Sequence, residues 1–156
     1  MAIRTIRVED DPILRKVSRP VIRFDESLHS LLNDMEETMR NAYGVGLAAP
    51  QIGILKRLFI IDIGEGLVEF INPIIISEDD EQLGDEGCLS LPGRFGEVKR
   101  PLTVTIKAQD RFGQYFELTK SELFARAICH ENDHLDGTIF SDLVIGDLQY
   151  NHEGDE

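Results

Sequence analysis

The stretch Thr119-Lys120-Ser121-Glu122-Leu123-Phe124-Ala125-Arg126-Ala127-Ile128-Cys129-His130-Glu131-Asn132-Asp133-His134-Leu135-Asp136-Gly137 decides how the rest of the chain is read. Its ends carry helix punctuation. Thr119 and Glu122 stand at the spacing of a capping box, in which a hydroxyl and a carboxylate satisfy free amides of the first turn. Gly137 supplies a stop after Leu135. The helix so framed contains His130-Glu131-Asn132-Asp133-His134, the pattern HExxH. Residues four apart on a helix stand one above the other, so two imidazoles face one point. Glu131 lies about 100° round the helix, in reach of a water held at that point. The plainer alternative is a helix with two surface histidines and an acidic neighbour. Against it stand the helix punctuation, which does not depend on the motif, and Leu123 and Ala127, which give a similar face an apolar wall. The helix reads as metal-binding.

A catalytic metal site needs a third protein ligand and an open position. Downstream, Asp142, Asp147, His152 and Glu153 carry donors, none at a recognised spacing. Upstream, Cys88 lies in Asp85-Glu86-Gly87-Cys88-Leu89-Ser90-Leu91-Pro92-Gly93. Glycines there let the backbone approach a ligand, and a thiolate binds transition metals well. A lone cysteine is more commonly a small buried residue, so the residues alone leave the third ligand open. Cys129, beside His130, points away from the histidine face and reads as helix packing.

Further out, Leu28, Leu31, Leu32, Met35 and Met39 follow helical spacing, with Asp25 as cap and Gly44 as a left-handed stop. Such a Leu/Met stripe predicts packing on a core. Leu58-Phe59-Ile60-Ile61, Val68-Glu69-Phe70-Ile71 and Ile74-Ile75-Ile76 read as strands, the last two broken at Asn72-Pro73, and 78–85 as an acidic loop. Residues 102–108 and 115–118 flank Asp110-Arg111-Phe112-Gly113, a hairpin turn. The expectation is α+β: several antiparallel or mixed strands around a central HExxH-bearing helix, with a second, core-packed helix.

The 156 residues suit one domain, 1–156. The net charge of −13 repels phosphate backbones and argues against autonomous nucleic-acid binding. Two cysteines make no disulfide framework, and no N-terminal run resembles a signal peptide, which together point to the cytoplasm. The most apolar segment, 58–63, is interrupted by Asp62 and is too short to cross a membrane.

Three segments, in order, resemble the peptide deformylase family. Gly44-Val45-Gly46-Leu47-Ala48-Ala49-Pro50-Gln51 is similar to its GxGLAxxQ motif, Glu86-Gly87-Cys88-Leu89-Ser90 to EGCLS, and His130 to His134 with Leu135-Asp136-Gly137 to its HExxH helix. The resemblance covers nearly the whole chain. It implies Cys88, His130 and His134 as metal ligands, and Glu131 as general base and then general acid. Gln51 and the Leu89 N–H would donate to the oxyanion. The reaction implied is hydrolysis of the N-terminal formyl group of formyl-methionyl nascent peptides: activated water attacks the formyl carbon and formate leaves. The resemblance implies ferrous iron in life, with zinc, nickel or cobalt as substitutes. Gly44, Val45, Gly46, Gly87, Leu123 and Ala127 are candidates to meet the substrate. Around the ligands, Arg100 is placed to pair with both Glu86 and Asp133, locking the two ligand-bearing segments together.

The chain departs from the family pattern in two places. Cys129 stands where many members have Gln. The tail, 147–156, is short and acidic where some members carry a longer basic C-terminal helix that helps them meet the ribosome. A transient ribosome contact would then use another surface. Two other readings compete: a zinc metallopeptidase, which leaves the first two motifs without a role, and an inactive protein that only binds formyl peptides or metal, which would be expected to lack Glu131 or a ligand.

Overall fold

The computed structural model describes residues 2–150. In chain order its elements are α1 (Glu26–Asn41), β1 (Gly46–Ala48), β2 (Leu58–Ile61), β3 (Val68–Asp79), β4 (Gln82–Cys88), β5 (Leu91–Arg100), β6 (Thr103–Gln109), β7 (Tyr115–Ser121), α2 (Glu122–Leu135) and β8 (Ile145–Tyr150), with short 3-10 turns between some of them. β1-β2-β3-β6-β7 form one sheet and β4-β5-β8 another. All the strand pairs within them are antiparallel. The architecture is α+β.

Alternation along β2 explains the layering. Leu58 and Ile60 join the α1 stripe of Leu28, Leu31, Leu32, Met35 and Met39. Phe59 and Ile61 point the other way, toward Phe124, Ala125 and Ile128 of α2. A strand covered by a helix on each face reads as an unbroken apolar run. Each such side chain contributes about 1.5–3 kcal/mol on burial. A third cluster joins Leu91 and Val98 of β5 to Leu14, Ile139 and Phe140. It ties the second sheet to the segment after α2.

Local punctuation differs from the sequence reading at several points. Asp25 does cap α1, accepting from the Leu28 N–H at 3.2 Å. The left-handed residue after that helix is Tyr43, with φ 58°, and the Gly44 N–H one residue on donates to Met39 O at 3.0 Å. Gly44 matters for space instead, since a Cβ there would lie 2.8 Å from Leu89 Cδ1.

The expected capping box does not form. Thr119 belongs to β7, where its hydroxyl meets that of Thr105 at 2.9 Å, and Ser121 meets Thr103 at 2.8 Å. The β-ladder claims both hydroxyls. α2 begins at Glu122, with φ 58°, whose N–H donates to Leu102 O at 2.8 Å. At its far end Gly137 takes the expected stop, with φ 77°.

Asn72-Pro73 is a bulge inside one long strand rather than a break between two, because β3 runs through it with only a register shift against β6. Asn72 takes φ 52°. Its amide replaces the missing ladder bonds, accepting from Val21 N–H at 2.8 Å and donating to Val21 O at 2.9 Å and Gln109 Oε1 at 2.8 Å. The acidic 78–85 segment is likewise not a loop. It is the end of β3 and the start of β4, turning at Asp80 (φ 56°).

Asn72→Ala removes three hydrogen bonds and a residue type that tolerates positive φ. It is expected to cost about 1–3 kcal/mol, read as a lower urea midpoint at unchanged slope. A midpoint equal to the wild type would show that the bulge does not depend on this amide.

Candidate active site

Two backbone segments bring the donors together. The β4–β5 hairpin ends with Cys88 paired to Leu91, so Leu89 and Ser90 make its turn. α2 lies against it. The Cys88 Sγ is 3.3 Å from His134 Nε2, and one donor atom each from Cys88, His130 and His134 lie within 4.8 Å of one another. Both histidines are buried. Of the downstream alternatives, Asp142 is held by Arg15 at 2.5 Å and accepts from the Ile139 N–H. Asp147 sits on the exposed strand β8, and His152 and Glu153 lie outside the described residues.

Glu86 is 5 % exposed and occupies the middle of a charged cluster. Arg100 donates to both of its oxygens, from Nε at 2.8 Å and Nη2 at 2.9 Å, and to Asp133 Oδ2 from Nη1 at 2.6 Å. Arg100 therefore touches both segments. His130 Nδ1 lies 2.9 Å from Glu86 Oε1. With Glu86 ionised, Nδ1 carries the proton and Nε2 is left as the lone-pair donor. Burial works to raise the Glu86 pKa, but the Arg100 and His130 bonds outweigh it and bring the carboxyl down to about 2.

The sequence reading missed Arg126. Its Nη1 donates to Glu86 Oε2 at 2.7 Å and to the carbonyls of Gly84 at 3.2 Å and Val98 at 3.1 Å. The available signal was its place four residues before His130, on the same helix face.

A cleft of about 600 Å³ opens over these groups, and every proposed substrate contact lines it: Gly44, Val45, Gly46, Gly87, Leu123 and Ala127. Glu131 reaches it from α2. Its Oε1 is buried with no partner among the described residues, an acceptor available to a water in the cleft. Burial pushes its carboxyl up to about 7. A Cβ at Gly46 would stand 2.5 Å from Glu131 Oε2. Gln51 is buried too. Its Oε1 accepts from the Ala48 N–H at 2.9 Å, while Nε2 lies 3.1 Å from Ser90 Oγ and 3.4 Å from Cys88 Sγ. Cys129 is apart from all this, in the apolar cluster, its thiol pushed up to about 12 by burial.

The residues present fit a divalent transition metal. One thiolate and two imidazoles form a tight borderline-soft donor set. Burial disfavours a charged His130, yet the Cys88 bond, the Glu131 charge and the Glu86 bond raise its pKa well above the usual value. The surroundings favour positive charge at that spot. His134 is shifted well below its usual value, by burial and then by the His130 charge. It remains a neutral donor.

A helix-borne histidine pair, a thiolate and a buried carboxylate around one cleft define a metal-dependent hydrolase. Comparison with known proteins specifies which. Residues 3–147 match the family model described as polypeptide deformylase, and the chain belongs to that family. The peptide deformylase of Alkaliphilus metalliredigens is 57% identical over 145 residues, covering 93% of this chain and 99% of that protein. Among solved structures, the Thermotoga maritima peptide deformylase superposes with a TM-score of 0.91 at 42% identity, covering 93% of this chain and 99% of that one. That of Legionella pneumophila gives 0.90 at 48%, covering 93% and 88%. The reaction is metal-dependent removal of the N-terminal formyl group from nascent peptides.

Gly46→Ala is expected to push the Glu131 carboxylate aside. Deformylation should fall by about 100-fold with the metal content unchanged. Full activity in this variant would show that the carboxylate has room to spare.

Proposed function

We propose that Cys88, His130 and His134 hold the metal and that Glu131, Gln51 and Leu89 carry the chemistry. The observation that carries this reading is the convergence of three donor atoms beside a buried, unpartnered carboxylate oxygen. Bound there, a divalent ion would make a water acidic enough to attack near neutral pH and would polarise the formyl oxygen. Glu131 Oε1 accepts the proton of the attacking water and later delivers it to the leaving amine nitrogen. Gln51 Nε2 and the Leu89 N–H donate to the developing oxyanion. Gly44, Val45, Gly46, Gly87, Leu123 and Ala127 line the space for the formyl group and the methionine behind it. A formyl carbon bears only hydrogen beside its oxygen, so close walls admit it and reject larger acyl groups. Arg100 holds Glu86 and Asp133 around the ligands, fixing His130.

The resident metal in this reading is ferrous iron. The same donors accept zinc, nickel or cobalt, and the preference for iron is supported by the family resemblance. The whole chain acts as one catalytic unit. The compartment is the cytoplasm, which suits the free thiols of Cys88 and Cys129. No helix among the described residues is long and apolar enough to cross a membrane. Any ribosome contact is transient. Residues 145–150 form strand β8 against β5, and the net charge of −13 argues against free binding to nucleic acid.

The test is formate release from a formyl-methionyl tripeptide by anaerobically prepared, iron-loaded protein, beside an unformylated control. Glu131→Gln should lower turnover by about 10²- to 10⁴-fold and keep the metal. Cys88→Ala should lose the metal. Turnover surviving in Glu131→Gln would remove this residue from the proton-transfer role. Cleavage of the unformylated peptide would favour a peptidase.

A further inference from the structure

Side chains of α2 reach across to β4 with matched periods. On β4, Gln82, Gly84, Glu86 and Cys88 are the partly or fully buried positions, and the residues between them are exposed. On α2, the buried residues Arg126, His130 and His134 recur every four. Four helical residues advance about 6.0 Å and two strand residues about 6.6–6.8 Å. The two rows therefore stay in step over two intervals. The contacts follow that order: Arg126 meets Gly84 and Glu86, His130 meets Glu86, and His134 meets Cys88.

We propose that Arg126 is a positioning residue that sets the register of the hairpin on the helix, and through it the place of the Cys88 thiolate relative to the two histidines. Its Nη1 donates to the carbonyls of Gly84 and Val98, which are direct partners across the β4–β5 ladder. One guanidinium thus grips both strands of the hairpin. Its bond to Glu86 fixes the next position toward Cys88. Gly84 completes the fit, because a Cβ there would lie 3.0 Å from Arg126 Nη2. Arg100 ties the hairpin to α2 at a different place, Asp133, and grips neither Gly84 nor Val98. The inference rests on the reading that Cys88, His130 and His134 are the metal ligands.

The test uses the full chain loaded with cobalt(II). It measures the rate of cobalt release to excess EDTA and the thiolate-to-cobalt absorption band, which reports the Cys88 bond directly. Arg126→Met and Gly84→Ala should each speed release by about 10–100-fold and weaken the band. The first removes the grip, and the second crowds Nη2, which must give by a few tenths of an ångström, without changing any charge. The double variant should release cobalt no faster than Arg126→Met alone, since the three atoms nearest to the added methyl all belong to the guanidinium that is gone. Arg126→Lys keeps the charge but lacks the fork, and should recover only part of the loss. Should Arg126→Met fail to fold, Gly84→Ala carries the test alone. Release within about twofold of the wild type in a folded Arg126→Met or Gly84→Ala protein overturns the proposal, as does a double variant whose effects multiply. Cys88→Ala serves as control. If it kept cobalt as the wild type does, the ligand reading itself would fall and the proposal with it. If it lost cobalt while Arg126→Met did not, only the register role would fall.

Discussion

A carboxylate buried between a helix and a hairpin is the constraint on which this site depends. An isolated charge in the position of Glu86 would cost several kcal/mol. Here two permanently cationic guanidiniums, Arg100 and Arg126, face two carboxylates, Glu86 and Asp133, so the cluster is close to neutral. Each Glu86 oxygen accepts two hydrogen bonds. Such a network tolerates little displacement, because losing one partner leaves a buried charge uncompensated. It also selects the His130 tautomer, since the ionised Glu86 can only accept. The charge balance behind His130 and the direction of its imidazole lone pair are thus one arrangement.

The second constraint is space. In the short strand β1, Leu47 packs with the α1 cluster, while Ala48 packs with that of α2. Alternation puts Gly46 on the α2 side as well, where Glu131 stands. Any side chain there would compete with the carboxylate for the same volume. Gly44 stands in a similar relation to Leu89 at the opposite lip. The two glycines of the first motif thus bring one loop within contact distance of both the acidic helix residue and the turn of the hairpin.

These relations were unequally legible in the sequence. The first helix declared itself through its Leu/Met period and β2 through its unbroken apolar run, while α2 was framed by punctuation, of which Gly137 held and the capping box did not. The HExxH pattern placed two donors and a carboxylate by helix geometry alone. Cys88 could not be chosen without the family motif, because its partners lie more than forty residues away and only the hairpin brings it to α2. That hairpin was hidden: Gly84, Gly87, Gly93 and Gly96 interrupt the apolar alternation that marks a strand, and the acidic run before it imitates a loop. The Thr119 capping box failed for a related reason. A local hydroxyl pattern was overruled by a cross-strand pairing with Thr105, which sequence spacing does not reveal. Arg126 was hidden by its type, since an arginine on a helix is usually solvated.

The geometry of Gln51 connects these elements to the reaction. An amide side chain has two ends that are nearly alike in shape, and its hydrogen-bond partners decide which faces the site. The Ala48 N–H can only donate, so it must be met by Oε1. Nε2 is thereby turned toward Ser90 and the Cys88 sulfur, at the place where the donor atoms of Cys88, His130 and His134 converge. The donor is set before any substrate arrives, by the backbone of the same motif that keeps Gly46 clear of Glu131. In the role proposed for it, Gln51 is then already turned toward the formyl oxygen as charge develops there, and a preoriented dipole stabilises that charge more than mobile solvent does.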